Sequence, residues 1–317
     1  MITHLLERFV KYLIRLLCPT LMLSISTLYG DVEETAISTE QITKNADDQG
    51  GPFTFLLSYD VVGEADFTQR ELDDQTLKFQ QAETSINSVV YYNKQHEEGV
   101  AVGVGYTHNL IDWDENPFFD QTNFNAANVI LTGFSKRLVD WDWKAQIYYA
   151  LDADHTDFDD YSTWDLLLWG RYTYSCLTGI HLGFYAQTGM EADRVVPIFG
   201  FDWQFKKEWK LNAVFPVKMS LVYSYDDNWS ALLAVRFFSA RCRVGKHEAL
   251  SRAIVEYRNT GLELALRYEW EPRIAADVHV GYSVGGKLKI SNRSHNHSSH
   301  FDFDGSPYIG AMMNLNF

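Results

Sequence analysis

The end of the chain constrains the fold most. Residues Tyr308 to Phe317 read YIGAMMNLNF, and the odd positions form an uninterrupted apolar set, Ile309, Ala311, Met313, Leu315 and Phe317. The even positions include Asn314 and Asn316, which are polar. Because side chains alternate across a β-strand, the segment predicts a strand with one apolar face and one face that tolerates water. An edge strand of a soluble domain and a wall strand of a membrane barrel both fit this pattern.

Alternation of the same kind continues through the second half of the chain. In 262–270, leucines and aromatic residues occupy one side, whereas the other side carries Glu263, Arg267 and Glu269. Segments 229–237 and 273–284 alternate similarly. These segments are about ten residues long and end in aromatic residues, as the strands of membrane barrels do, whereas the strands of a soluble sandwich are shorter. We therefore predict an all-β fold, a single antiparallel transmembrane β-barrel.

Composition supports a barrel over a helical membrane protein. The mean hydropathy is −0.23 although aromatic residues make up 15% of the chain. Barrel strands expose only alternate residues to lipid, so they escape the hydropathy windows that detect membrane helices. The formal net charge of −15 argues against nucleic acid as a partner.

The amino-terminal residues resemble an export signal. Arg8, Lys11 and Arg15 precede a mostly apolar run from Leu16 to Leu28. Pro19 interrupts this run, which is also short for a helix that spans a bilayer with about 20 residues. We therefore predict a signal peptide at residues 1–30, a flexible periplasmic lead-in at 31–52 and an outer-membrane barrel at 53–317.

The number of strands follows from a parity argument. The sequence divides into about fifteen segments, but a barrel with both termini in the periplasm needs an even number. We join Trp209–Phe215 and Met219–Tyr225 into one strand that is kinked at Pro216–Lys218. The result is about 14 strands, with about 12 as the alternative. It places residues 292–305 outside the cell as a long loop.

Charged residues of both signs fall on the inward face in this register. The residues predicted to line the lumen are Arg236, Arg252, Glu256, Glu263, Arg267, Glu269, Arg273 and Asp277. They can line an aqueous pore whose field sorts solutes, or they can pair across strands and fill the interior. The spacing is the same in both cases, so both interpretations stay open.

Two other polar clusters are better explained as loops than as catalytic or metal sites. The acidic run from Asp152 to Asp160, which includes His155, is read as a solvated outer loop, because it lacks the glycine and distal glutamate of a calcium loop. A second polar segment carries the histidines His295, His297 and His300, whose spacing is weak support for a metal site. We predict no catalytic, cofactor or metal residues. Export would permit a disulfide between Cys176 and Cys242, but their spacing does not specify one.

Three phrases resemble an uncharacterised family of bacterial outer-membrane β-barrels that includes chlamydial members. They are DWQFKKEWKLNAVFP (Asp202 to Pro216), YSYDDNWSALLAV (Tyr223 to Val235) and the terminal PYIGAMMNLNF. The resemblance implies location and fold, and no activity can be transferred from it. The terminal strand also resembles those of outer-membrane barrels in general, which implies that Phe317 is an assembly signal read by the barrel assembly machinery.

The sequence favours a non-enzymatic function in the outer membrane. We predict a passive or weakly selective, porin-like channel for small solutes, with outer-membrane lipid and the barrel assembly machinery as partners. A surface-exposed structural or adhesive barrel is the alternative, and an outer-membrane hydrolase is a third interpretation.

Overall fold

The computed structural model describes residues 53–72, 74–155, 157–190, 193–270, 273–294 and 297–317. The predicted signal peptide and periplasmic lead-in lie outside the described residues. Within them the chain is built almost entirely of strands. They are β1 (Phe53–Asp66), β2 (Thr76–Asn93), β3 (Glu98–Trp113), β4 (Asn123–Ser135), β5 (Trp141–Asp152), β6 (Ser162–Ser175), β7 (Thr178–Gly189), β8 (Arg194–Lys206), β9 (Trp209–Phe215), β10 (Lys218–Ser224), β11 (Trp229–Arg243), β12 (Ile254–Trp270), β13 (Ile274–Ser291), β14 (Ser298–Phe303) and β15 (Pro307–Asn316).

Two short helices lie in the described connections between strands. A 3₁₀ turn, Arg70–Leu72, follows β1, and helix α1 (Phe158–Tyr161) precedes β6. No helix in the described part of the chain is both long enough and apolar enough to cross a membrane.

Antiparallel pairing closes the strands into a barrel. Each strand from β1 to β13 pairs with the next one in sequence, and β15 pairs with both β13 and β1. β13 pairs with β15 along 274–282 and with β14 along 286–291, so β14 and β15 share one position in the wall. Fifteen strands therefore occupy fourteen positions. The predicted all-β, single antiparallel barrel of about 14 strands is confirmed.

Two of the steps that led to the predicted number of strands were wrong. Trp209–Phe215 and Lys218–Ser224 are two strands that pair as a hairpin, and they do not form one kinked strand. Pro216 lies in the turn between them, as expected for a residue that lacks a backbone N–H. The predicted loop at 292–305 contains β14, because Phe301 and Phe303 pack against the apolar core of the barrel.

A glycine makes the change of partner along β13 feasible. Gly285 has φ +99°, in the left-handed region, and lies between the part of β13 that pairs with β15 and the part that pairs with β14. A β-carbon there would lie 2.8 Å from the carbonyl oxygen of Phe303. Both the backbone conformation and the close approach therefore favour glycine at this position.

The two faces of the wall differ as the sequence predicts. In β12, Leu264 is 62% exposed on the outside, whereas the adjacent Glu263 is 5% exposed on the inside. Phe53, Phe317 and connections such as 94–97 and 207–208 lie at one rim, which we call the short-turn rim; the opposite, long-loop rim carries connections such as 114–122 and 244–253. Aromatic pairs mark the short-turn rim, including Trp229 with Tyr268.

Phe317 closes the seam of the barrel at the short-turn rim. Its backbone N–H donates to the carbonyl of Phe53 at 3.0 Å, and its carbonyl accepts from the N–H of Phe53 at 3.1 Å. The two phenyl rings stack with centroids 5.9 Å apart. The terminal residue therefore completes the pairing between the first and last strands.

Deletion of Phe317 should impair folding into the barrel, because it removes the last bonded pair and the ring stack of the seam. We expect a several-fold loss of the heat-modifiable, folded form on gels of membrane fractions. Phe317→Tyr keeps the ring and the backbone bonds and is the matched control. Full recovery of folded protein after the deletion would contradict this role.

Candidate functional site: the lumen and its inner hairpin

A network of ion pairs fills one side of the lumen. The guanidinium of Arg236 donates to both carboxylate oxygens of Glu263, at 2.7 and 3.2 Å, and lies 4.0 Å from Asp60. His279 lies between two carboxylates, with Nε2 2.6 Å from Asp60 and Nδ1 3.3 Å from Asp277. The network joins β1, β11, β12 and β13 across the interior.

Four predicted lumen residues meet in this network or at its edge. Arg236 and Glu263 form its centre, while Arg267 donates to Asp277 at 3.2 Å. Tyr308 also donates to Glu263, at 3.4 Å. Sequence reasoning missed Asp60 as a partner, although its inward position in β1 follows from the alternation of that strand.

The remaining predicted lumen residues lie elsewhere. Glu269 is 4.0 Å from Arg267, and Arg273 lies exposed in the turn before β13. Arg252 lies in the connection between β11 and β12, and Glu256 accepts a hydrogen bond from Arg258 at 2.7 Å. The contact of these residues with permeating solutes stays a prediction.

A second buried network, which the sequence did not reveal, is centred on Asp202. Arg171 donates to both oxygens of this carboxylate, at 2.7 and 3.1 Å, and His181 Nε2 lies 2.8 Å from it. The indole N–H of Trp169 donates to the other imidazole nitrogen of His181 at 3.0 Å. Its members come from β6, β7 and β8, so the pattern became visible only once these strands were placed side by side.

The end of the β11–β12 hairpin packs into the lumen, while its β12 strand stays paired with β13. We call residues 237–258 the inner hairpin. Its Tyr257 stacks on Phe79 of β2 with ring centroids 4.0 Å apart, and Phe238 lies 6.4 Å from the same ring. Along the wall, β2 and β12 are separated by β1, β15 and β13, a path of about 19 Å at normal strand spacing. Direct contact therefore requires the hairpin to lie inside the barrel.

Both faces of the inner hairpin are buried. One face joins an apolar cluster with the wall of β1, β2, β3 and β13, to which the hairpin contributes Phe238, Ala240, Cys242, Val255 and Tyr257. The opposite face carries Ser239 and Arg241, which line a cavity against the far wall. The hairpin thus divides the half of the lumen nearer the long-loop rim into a filled part and a part that contains cavities.

The tip of the inner hairpin is held by the β3–β4 connection. The N–H of Leu250 donates to the carbonyl of Phe118 at 2.7 Å. The N–H of Gly245 donates to the side-chain oxygen of Gln121 at 2.9 Å, and the N–H of Asp120 donates to Glu248 at 2.7 Å. These bonds tie the tip to the opposite side of the mouth.

The β5–β6 and β7–β8 connections hold the tip as well. Arg252 donates to Asp160 at 2.6 Å, and Arg241 donates to the carbonyl of Met190 at 3.1 Å. The hydroxyl of Tyr161 donates to the carbonyl of Val244 at 3.2 Å. Burial raises the pKa of Tyr161, so this hydroxyl keeps its proton and remains a donor. The inner hairpin is therefore clamped at the mouth of the barrel.

Two adjacent cavities lie between the inner hairpin and the wall of β2 to β7. The larger has a volume of about 100 Å³ and is lined mainly by polar side chains, Gln81, Glu83, Thr107, Asn109, Gln146, Tyr148, Thr163, Asp165, Gln187, Ser239 and Arg241. The second, of about 50 Å³, lies nearer to Tyr161 and Met190 and shares Asn109, Ala150 and Arg241 with the first. Together they outline a partly polar path toward the mouth, with Phe124, Met190 and Cys242 beside the second cavity.

The acidic run singled out in the sequence is held by contacts within its own loop. The carboxylate of Asp152 accepts hydrogen bonds from the backbone N–H groups of Asp154 and His155, at 2.8 and 2.9 Å. His155 also stacks on Tyr161, so this carboxylate and imidazole shape the loop. In the described ranges, no group of three or more candidate metal ligands is present. His295 lies outside the described residues.

Neither of the two cysteines in the described ranges is part of a disulfide. Cys176 is exposed in the turn between β6 and β7, whereas Cys242 is buried in the apolar face of the inner hairpin. They lie on different elements and do not pair.

The geometry defines the class of protein, a β-barrel of the membrane-spanning, outer-membrane type. A family model described as "Domain of unknown function (DUF6268)" matches residues 177–316. The chain is 22% identical over 312 residues to an uncharacterized protein of Chlamydia trachomatis, covering 92% of this chain and 97% of that protein. It is also 22% identical over 318 residues to an uncharacterized protein of Chlamydia pneumoniae, covering 94% of this chain and 99% of that protein. The predicted resemblance to an uncharacterised barrel family with chlamydial members is confirmed.

Solved structures similar to this chain include a porin and a toluene transporter. One is the KdgM porin in complex with disordered oligogalacturonate, with a TM-score of 0.36, 9% identity and coverage of 83% of this chain and 99% of that one. Another is the Pseudomonas putida toluene transporter TodX, with a TM-score of 0.40, 9% identity and coverage of 92% and 97%.

The central ion pair of the lumen should contribute strongly to stability. Arg236→Met leaves the buried carboxylate of Glu263 without its bidentate partner, and breaking such a pair costs about 3 to 5 kcal/mol. We expect a loss of that order in the free energy of unfolding, measured with urea in lipid vesicles. Adding Glu263→Gln to Arg236→Met should recover part of the loss. An unchanged unfolding midpoint in the single variant would contradict the assignment.

Proposed function

We propose that the protein is an outer-membrane channel of the porin-like type, narrowed by its inner hairpin, for small polar solutes. The short-turn rim would face the periplasm and the long-loop rim the exterior, as in bacterial barrels generally. The observation that carries the proposal is the polar cavity between the inner hairpin and the wall of β2 to β7.

The chemistry of this cavity suits weak and unselective passage. Its wall combines amide and hydroxyl groups with two carboxylates, Glu83 and Asp165, and one guanidinium, Arg241. Groups of this kind exchange hydrogen bonds with a small hydrated solute without holding it tightly, and conduction requires such weak binding. The opposite half of the lumen is filled by the Arg236 network and the apolar cluster, so passage is confined to one side.

An enzymatic role is not proposed. The Asp152 carboxylate is engaged by two backbone N–H groups, and His155 packs on Tyr161, so their contacts belong to the architecture of the loop. The closeness of a carboxylate and an imidazole is therefore explained without a substrate.

A bulky side chain in the cavity should block conductance. Ala150 lines both cavities, whereas Ile147 on the same strand points outward and is exposed. We expect Ala150→Trp to reduce single-channel conductance in planar bilayers several-fold, because the indole fills the polar path. Ile147→Trp is the matched control and should conduct like the unmodified protein. If folded, inserted protein conducts no ions at all, the structural or adhesive interpretation of the barrel replaces the channel.

Loosening the clamp on the inner hairpin should increase conductance. Asp160 binds both Arg252, at 2.6 Å, and Arg293, at 3.1 Å. Asp160→Asn removes the charge that holds these two guanidinium groups, so the hairpin tip is held less firmly. We expect open events to become several-fold more frequent in planar bilayers. Asp159→Asn removes the same charge from an exposed neighbour and should leave gating unchanged; an equal effect of both substitutions would refute the clamp.

A further inference from the structure

The inner hairpin turns two arginines toward the cavities beside it. In the stretch from Phe237 to Arg243, FFSARCR, every second residue belongs to the apolar cluster of the lumen, namely Phe238, Ala240 and Cys242. Because side chains alternate along a strand, the residues between them point to the opposite side. Arg241 lines both cavities, and Arg243 lines the second. The positive charge of the hairpin therefore faces the cavities.

Backbone carbonyls hold both guanidinium groups in place. Arg241 donates to the carbonyl of Met190 at 3.1 Å, and Arg243 donates to the carbonyl of Arg252 at 3.1 Å. A carbonyl carries no net charge, and a guanidinium has five N–H donors. These bonds therefore orient the two groups without neutralising them.

A carboxylate of the hairpin itself lies close to Arg241. Glu256 is 3.9 Å from Arg241, but it accepts a closer hydrogen bond from Arg258, at 2.7 Å. Glu256 is not among the residues that line either cavity. The charge that the hairpin presents to the cavities is therefore that of its arginines.

The wall opposite the hairpin carries the negative charges. Glu83 on β2 and Asp165 on β6 line the larger cavity, and Asp152 at the end of β5 lines the second. Among the described residues that line these cavities, each carboxylate thus belongs to the wall and each guanidinium to the hairpin. Charges of opposite sign face the cavities from their two sides.

This separation of charge acts differently on different classes of solute. A cation is attracted by the wall and repelled by the hairpin, whereas an anion experiences the reverse. A neutral solute gains only hydrogen bonds. A zwitterion can turn its carboxylate toward Arg241 and its ammonium group toward Glu83 or Asp165, so both of its charges are stabilised at once. Such interactions are stronger where little water separates the charges, as in a narrow cavity.

The size of the larger cavity and its amide groups suit a small zwitterion. Its volume is about 100 Å³, and one water needs about 10 to 15 Å³ on this scale. The cavity therefore has room for several waters or for a solute as small as the simplest amino acids. Side-chain amides can donate to a carboxylate and accept from an ammonium group. Those at the cavity are Gln81, Asn109, Gln146 and Gln187.

We propose that the larger cavity binds small zwitterionic solutes, of which amino acids are the representative class. The solute carboxylate lies at Arg241 on the inner hairpin, and the ammonium group lies at Glu83 and Asp165 on the wall. The proposal rests on the channel function proposed above, because it names the preferred class of solute for the same cavity. Binding is weak enough for the solute to leave again, so the preference is several-fold rather than absolute.

Two isomeric solutes test the preference directly. Glycine is a zwitterion at neutral pH, and glycolamide has the same atoms without charges. Liposomes that contain the folded protein are placed in iso-osmotic solutions of each, and the swelling rate of protein-free liposomes is subtracted. We expect swelling in glycine to be several-fold faster than in glycolamide. An equal or slower rate in glycine would overturn the proposal and leave the channel intact.

Removal of the wall charges should abolish the preference. Glu83→Gln combined with Asp165→Asn keeps the side-chain shapes and removes both carboxylates. We expect the glycine rate to fall several-fold, to about that of glycolamide, while the glycolamide rate is retained. The matched control, Glu208→Gln with Asp227→Asn, removes two charges from exposed turns and should keep the preference. A preference that survives the wall substitutions, or that the control also loses, would contradict the assignment.

Folding of each variant is checked by heat-modifiable migration. If the double wall variant does not fold, Glu83→Gln takes its place, with Glu208→Gln as its control. The single substitution should reduce the preference for glycine, and an unchanged preference would count against the proposal in the same way.

A binding measurement separates this proposal from the channel when neither solute enters. In that case the channel proposal fails, and saturation-transfer NMR is recorded on the folded protein in detergent micelles. A signal for the methylene protons of glycine that exceeds the signal for glycolamide, and that the wall substitutions abolish, supports the zwitterion site without transport. Equal signals for the two solutes, or no signal for glycine, overturn it.

Discussion

Backbone hydrogen bonding in a membrane is the constraint on which the rest of this structure depends. Hydrocarbon offers no partner for an N–H or C=O group, so a sheet that spans it has to close on itself. Here closure is made by β1 and β15, which pair from Thr54 with Asn316 to Val62 with Tyr308. Closure also separates the interior from lipid. Charged residues can lie there, and because they are partly removed from water they form pairs, as Arg236 does with Glu263.

The inner hairpin follows from the width of the barrel. Fourteen positions enclose more space than side chains alone can fill, whereas about eight strands leave an interior that side chains do fill. Part of this space is filled by the inner hairpin, a backbone segment whose two faces are both buried inside the barrel. The stacked rings of Phe79, Tyr257 and Phe303 then form a column across the interior. Aromatic pairs of this kind are worth about 0.5 to 1.5 kcal/mol beyond their burial.

Period-two alternation predicted most of the fold, and it failed in the inner hairpin, which packs inside the barrel. It placed Arg236, Glu263, Arg267 and Asp277 inside, because each alternates with apolar residues along its strand. It could not supply partners such as Asp60, which is 219 positions from His279 in sequence. Arg252 and Glu256 were assigned by extending the alternation into the inner hairpin. There both faces are buried, so alternation no longer distinguishes inside from outside. The segment Phe237 to Arg243, which reads FFSARCR, carried that signal in its lack of alternation.

The short β9–β10 hairpin determines how far β11 is held between two neighbours in the wall. β10 pairs with β11 from Ser224 with Ser230 to Met219 with Val235, and beyond Val235 the pairing of β11 continues with β12. β12 in turn stays paired with β13 as far as Ile254, so the inner hairpin is anchored to the sheet along one edge. Beside the turn of β9 and β10, the side chains of Val196, Ile198 and Val217 are buried in an apolar cluster. Two short strands therefore allow the β11 edge to pack inward while the apolar side chains beside it stay buried.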